Sequence, residues 1–269
     1  MTAFERLARR VRHDLKPRLL TVRQTGQLTA TLHRVVLEGA DLEGFVSLGF
    51  DDHVKLVLPA PGAARPVLPR PGEGLPAIAG QALRDYTPRR HDAAAGTLAI
   101  DFVMHGDGPA ASWAAAARPG DALGVLGPRG SFVVPAELDW HLLAGDEAAL
   151  PAIARRLEEL PAGTRAFVAV EVAELAAELP LPSRAQVELR WLHRHGRAPG
   201  DAAAQLAAVA GFDLPPGAGY AWAAAEAGVA RALRHHLVAV RGLPPAQVKA
   251  AAYWTRDRAG SGGVVEAAA

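Results

Sequence analysis

The chain has 269 residues, with 29 Lys and Arg against 28 Asp and Glu for a formal charge of +1, and it has no cysteine. That length accommodates two domains with separate cores. The near-neutral balance, with Arg9, Arg10 and Arg12 as the main basic cluster, argues against nucleic-acid binding. Without cysteine there can be no disulfide, thiol nucleophile, iron–sulfur cluster or thiolate zinc site, so redox chemistry falls to a bound organic cofactor or to a metal that is itself substrate.

Residues 1–16 read as an N-terminal arm. Met1 to Leu20 mixes Arg, Glu, His and Asp among its apolar residues and lacks an apolar run of signal-peptide length. No stretch approaches the roughly 20 apolar residues of a membrane span, so no membrane insertion is expected and the expected compartment is the cytoplasm. Residues 17–137 carry short β-branched runs at 19–22, 32–37, 53–58, 98–103, 123–127 and 131–134, punctuated by Gly, Pro and Asp. This pattern predicts a small antiparallel barrel. Pro59 to Gly80 reads as a long surface loop.

Within the barrel region, Arg84-Asp85-Tyr86-Thr87 puts a fixed positive charge, a ring and a hydroxyl within four residues, a set suited to gripping a phosphate and covering a flat heterocycle. About twenty residues on, His105-Gly106-Asp107-Gly108-Pro109-Ala110 forms a Gly/Pro turn into a short helix, Ala110 to Ala117, whose free N–H groups offer an anion site.

The rhythm changes at Pro135 to Asp139. Strands at 140–144, 166–172, 187–193, 220–225 and 248–254 are interleaved with helices at 147–160, 202–210 and 228–241. The alternation predicts, for residues 138–259, a parallel sheet with helices on both faces. Gly260 to Ala269 reads as a disordered tail. His235 and His236 point in different directions on a helix, and His193 and His195 lack a third partner nearby in sequence, so no metal site is expected.

Taken in order, these segments resemble the siderophore-interacting protein family, FAD-containing ferric-siderophore reductases of the ferredoxin-reductase-like superfamily. The matching motifs include Gly49-Phe50-Asp51-Asp52-His53-Val54-Lys55-Leu56, Arg84-Asp85-Tyr86-Thr87-Pro88, Asp101-Phe102-Val103, Pro119-Gly120-Asp121 and Gly127-Pro128-Arg129-Gly130-Ser131. In the second half they are Gly145-Asp146-Glu147-Ala148-Ala149-Leu150-Pro151, Trp222 with Glu226, and Ala252-Tyr253-Trp254. The resemblance implies an N-terminal antiparallel flavin-binding β-barrel followed by a C-terminal parallel-sheet domain for NADPH or NADH, with NADPH favoured.

By that resemblance Arg84 holds the FAD pyrophosphate, Tyr86 lies against the flavin, and Thr87 bonds near its edge. His105, Gly108, Pro109, Ala110 and Ala111 hold the dinucleotide part with Trp113 nearby, and Asp101, Val103, Asp146, Glu147, Trp222 and Glu226 complete the cofactor set. Many relatives carry Ser in place of Ala111 and Thr in place of Ala148. Asp146 and Glu147 also read as acids capping a helix start. Glu171 is a candidate for ribose hydroxyls, Arg194 and Arg197 for a 2′-phosphate.

Lys55, Arg129 and Lys249 match the basic positions around a ferric siderophore, each with a solvated surface charge as the alternative reading. The resemblance implies hydride transfer from NAD(P)H to FAD and then single electrons to Fe(III), with no catalytic side chain. Reduced ferredoxin is an alternative donor, and a monomer is expected. Two other readings stay open: a flavin-dependent NAD(P)H reductase with a different acceptor, and a non-catalytic ferric-siderophore-binding protein.

Overall fold

The computed structural model describes residues 8–70, 73, 78, 80–106, 108–256 and 263–264, and the chain divides into two compact units, Arg10–Val133 and a second that joins the chain up to Arg9 with Val134 onward. In the first, β2 (Pro17–Gln27), β3 (Leu32–Glu38), β4 (Val54–Val57), β5 (Leu83–Tyr86), β6 (Arg90–Asp92), β7 (Thr97–Val103) and β8 (Ala122–Leu126) form one sheet in the order β5-β4-β8-β2-β3-β7-β6. Every pairing in it is antiparallel. Alternate residues such as Leu20, Val35, Leu56, Ile100 and Val125 meet in one core, so the sheet curls on itself as a barrel. Tyr86 at one edge packs on Phe102 of β7 at 4.5 Å between ring centroids, and α1 (Pro109–Ala116) presses Ala110, Ala114 and Trp113 against the same core.

Three elements depart from the sequence reading. The expected arm contains β1 (Arg9–Arg12), paired with β9 (Gly130–Val133). The Arg84–Tyr86 segment is itself a strand. Of the expected surface loop, Pro66, Pro69 and Ile78 are buried, and Ile78 packs with Leu68 on Val57 and Leu126.

In the second unit, β10 (Trp140–Asp146), β11 (Arg165–Val172), β12 (Gln186–His193), β13 (Gly219–Glu226) and β14 (Val248–Trp254) run parallel in the order β12-β11-β10-β13-β14. Helices α3 (Ala202–Ala210) and α4 (Ala227–His235) cover one face through Leu142, Ala144, Phe167, Ala221 and Ala223. Helix α2 (Leu150–Glu159) lies on the other, where its Arg156 approaches His141. Burial on both faces explains the unbroken apolar runs of β10 and β13. Gly263 and Val264 of the expected tail pair with β14 as β15, while residues 260–262 and 265–269 lie outside the described residues. No described helix is long and apolar enough to cross a membrane.

Candidate functional site

Strand alternation gives β5 two jobs. Opposite residues of an antiparallel pair share a face, so Arg84 and Tyr86 lie with Leu56 and Val54 on the core side, whereas Asp85 lies with Lys55 on the other. Arg84 donates to the Leu83 carbonyl at 2.8 Å and meets no carboxylate among the described residues. Burial pushes the Tyr86 phenol up to about 12, with the Arg84 guanidinium pulling the other way, so the ring stays a neutral hydrogen-bonding group. Thr87, next in the chain, is buried.

Helix α1 begins at Gly108 with Pro109 in its first turn, and it has neither a side-chain cap nor a first-turn acid. Its early N–H groups are available to an anion, with Ala110 and Ala111 contributing backbone and not side chain. Serine at 111 is therefore dispensable for that donation. Trp113 is half-buried with its ring 5.9 Å from Phe102, His105 is exposed before the helix, Val103 is half-buried, and Asp107 lies outside the described residues. A guanidinium with no carboxylate partner among the described residues, a helix start without a side-chain cap and a partly exposed ring fit the phosphates and flat ring of a flavin dinucleotide.

Asp101 corrects the sequence reading. Its side chain is 0 % exposed and accepts from Arg34 Nε and Nη2 at 2.6 and 2.7 Å, with Arg89 Nε 4.0 Å away. Its carboxylate ties β7 to β3 and has no surface for a ligand.

On the outer face of β4, Lys55, Asp85, His53, Leu15, Leu126 and Arg129 line an open cleft of about 180 Å³. Lys55 Nζ lies 2.6 Å from Asp85 Oδ1. Arg129 is exposed and meets no carboxylate among the described residues. Its turn starts at Gly127, whose φ of +94° favours glycine, and Arg18 Nη1 holds the Gly127 carbonyl at 3.0 Å.

In the second unit, strand order reverses between β10 and β13, which places the expected nucleotide crevice at their C-terminal ends. Gly145 sits there because a Cβ would come within 2.3 Å of the Ala224 carbonyl. The two carboxylates closing these strands cap helical turns. Asp146 accepts from Ala148 N–H at 2.9 Å and Trp254 Nε1–H at 2.7 Å, and Glu226 accepts from the N–H groups of Gly228 and Val229. Burial raises the Asp146 carboxyl to about 6 against the pull of those hydrogen bonds.

Glu147 accepts from Arg194 at 2.8 and 3.2 Å and from Ala173 N–H at 2.9 Å, so Arg194 is already committed to a carboxylate. Its Nη1 also lies 3.5 Å from Glu171 Oε1, on a side chain 5 % exposed. Glu171, His193, Arg194, Arg197 and Asp201 line one small pocket at the end of β11. Arg197 is exposed, leaving it as the basic candidate for a 2′-phosphate.

One further expectation needs correction. Trp222 is 0 % exposed and packs on Tyr253, so it is sheet core, not a ligand surface. Lys249 pairs with Trp222 near the start of β14, about 16 Å of strand from Trp254. Sequence reasoning missed Asp85 as a cleft residue and Arg34 as the partner of Asp101. Neither bore a signal beyond its charge.

Residues 138–257 match the family described as Siderophore-interacting protein, and residues 21–132 match the Siderophore-interacting FAD-binding domain. The NADPH-dependent ferric-chelate reductase of Escherichia coli is 37 % identical over 259 residues, covering 94 % of this chain and 99 % of that protein. The ferric vibriobactin reductase ViuB of Vibrio cholerae is 35 % identical over 181 residues, 66 % of this chain and 67 % of its own. The crystal structure of a siderophore utilization protein from T. fusca superposes with a TM-score of 0.87 at 41 % identity, covering 94 % of this chain and 98 % of that one.

Proposed function

The chain belongs to the siderophore-interacting protein family, and from that premise we propose that it reduces ferric siderophores in the cytoplasm with FAD as cofactor and NADPH as electron donor. One NADPH and two ferric chelates give NADP⁺, a proton and two ferrous chelates. The observation that carries the reading is the alternation of β5: Arg84 and Tyr86 serve the cofactor side of one strand while Asp85 and Lys55 face the basic cleft on the other.

FAD, when bound, converts the two-electron chemistry of a hydride into the one-electron chemistry of iron. Arg84 and the α1 N–H groups bind its phosphates, and the neutral Tyr86 phenol adds no charge beside the ring. Lys55 and Arg129 draw an anionic chelate into the cleft without touching iron, whose coordination shell the siderophore already fills. The ferrous product is held less tightly by hard oxygen donors and leaves. At the crevice of the parallel sheet, Glu171 accepts from a ribose hydroxyl and Arg197 meets the 2′-phosphate that distinguishes NADPH.

The test is anaerobic spectroscopy of the purified, FAD-loaded chain. NADPH should bleach the flavin band, a ferric siderophore should restore it, and a ferrous-specific chromophore should report two Fe(II) per NADPH. The variants K55A and R129A should each raise KM for an anionic chelate while leaving flavin bleaching by NADPH at its original rate. A flavin that bleaches but is not reoxidised by ferric chelates would point to a different acceptor. A protein that takes up no FAD would overturn the assignment altogether.

A further inference from the structure

The cleft that should attract an anionic chelate contains a carboxylate. Asp85 Oδ1 lies 2.6 Å from Lys55 Nζ, and the two side chains are 38 % and 31 % exposed, so both face the solvent that a substrate would displace. Register fixes the pairing, because Lys55 and Asp85 are directly opposite on β4 and β5. Of the cleft's formal charges, Lys55 and Arg129 are positive and Asp85 is negative, which leaves one uncompensated positive charge. Arg129 carries it, with no carboxylate of its own among the described residues.

Building on the ferric-chelate reading, we propose that Asp85 is a specificity-determining residue that selects ferric chelates of low negative charge over trianionic ones. A ferric tris-catecholate carries three net negative charges, since three dianionic catecholates surround Fe(III). A ferric tris-hydroxamate, with three monoanionic ligands, is neutral. The Asp85 charge acts on the first with its full Coulomb repulsion and on the second hardly at all. It also occupies one of the three protons Lys55 can offer, so a chelate oxygen must share the ammonium with it. Selectivity then comes from a repulsive element beside the attractive one.

The experiment compares kcat/KM of the FAD-loaded enzyme for a ferric tris-catecholate and a neutral ferric tris-hydroxamate, with NADPH as donor, in the native protein, D85N and D85E. Both substrates are read on the same preparation, so any effect of the substitution on FAD or NADPH cancels in their ratio. D85N should raise the catecholate-to-hydroxamate ratio at least fivefold at low ionic strength, and the gain should shrink in high salt. D85E should keep the native ratio. If D85N changes both substrates by the same factor, or lowers the ratio, Asp85 only props Lys55 and the inference fails. If the native enzyme reduces neither chelate, the ferric-chelate reading fails with it.

Discussion

Replacing His141 with leucine should alter how stability depends on pH. The ring sits in the middle of the parallel sheet with 0 % exposure, and its nitrogens make no well-formed hydrogen bond among the described residues. Burial pushes it down from 6.5 to about 3, the Arg156 guanidinium pushes the same way, and the Ala136 backbone pulls weakly back. A depressed base contributes stability that is complete above its unfolded pKa and is lost on acidification, because the unfolded chain takes the proton first. Between pH 7 and pH 5 that loss is about 2 kcal/mol.

Asp146 on the same strand works the other way. Its folded carboxyl is raised to about 6, so it contributes stability at low pH that is lost as pH rises through that value. Acidification from pH 7 to pH 5 returns about 1.3 kcal/mol. The native protein should therefore lose under about 1 kcal/mol from this pair, while H141L keeps only the Asp146 gain. The assay is urea unfolding of FAD-saturated protein at both pH values, followed by tryptophan fluorescence; Trp140, Trp191, Trp222 and Trp254 of the five tryptophans report on this unit. The stability difference between H141L and the native protein should grow by about 2 kcal/mol from pH 7 to pH 5. A difference that stays constant to within about 0.5 kcal/mol would show that His141 does not resist protonation, and the reasoning would be wrong.

Two further outcomes test the cofactor sites. R84A removes a guanidinium that leaves no carboxylate orphaned, so its cost reports on the ligand: loss of a charge-assisted contact of about 1.5–3 kcal/mol should weaken FAD binding roughly 10- to 150-fold in a fluorescence titration of the apoprotein. Binding within twofold of native would remove Arg84 from the site. R197A should raise KM for NADPH by about five- to tenfold and leave NADH unchanged, as expected for one exposed phosphate contact, whereas R194A should chiefly lower thermal stability by stranding the buried Glu147 and Glu171. Equal effects of R197A on both dinucleotides would count against a 2′-phosphate contact.

The sequence made most of the second unit legible because its signals are local. Apolar spacing placed α2, turn residues bounded the strands, and five strands interleaved with three helices left little choice of topology. The family resemblance, by contrast, put Trp222 among the cofactor residues, and the strand does not bear that out. Its strand reads Gly-Tyr-Ala-Trp-Ala-Ala-Ala-Glu with every position buried, and an aromatic in a strand covered on both faces is core whatever motif it belongs to. Asp101 failed for a different reason: the carboxylate looked available until Arg34, 67 residues earlier, was brought beside it by the β3–β7 pairing.

Asp85 shows the limit most clearly. Inside Arg-Asp-Tyr-Thr it lies between Arg84 and Tyr86, and the sequence alone assigns it no role. Once the segment is a strand, every second residue must face the other side. The face it turns to is set by register with a strand 30 residues away, which puts it on Lys55. A one-residue slip of that register would send Arg84 and Tyr86 outward and Asp85 into the core, where a carboxylate opposite Leu56 or Val54 would be buried without a partner. The cost of that burial, together with the apolar contacts Tyr86 makes on Phe102, fixes the register. The orientation of Arg84 and Tyr86 and the charge of the cleft are thus set by one pairing, and a change in β5 that alters one side can disturb the other.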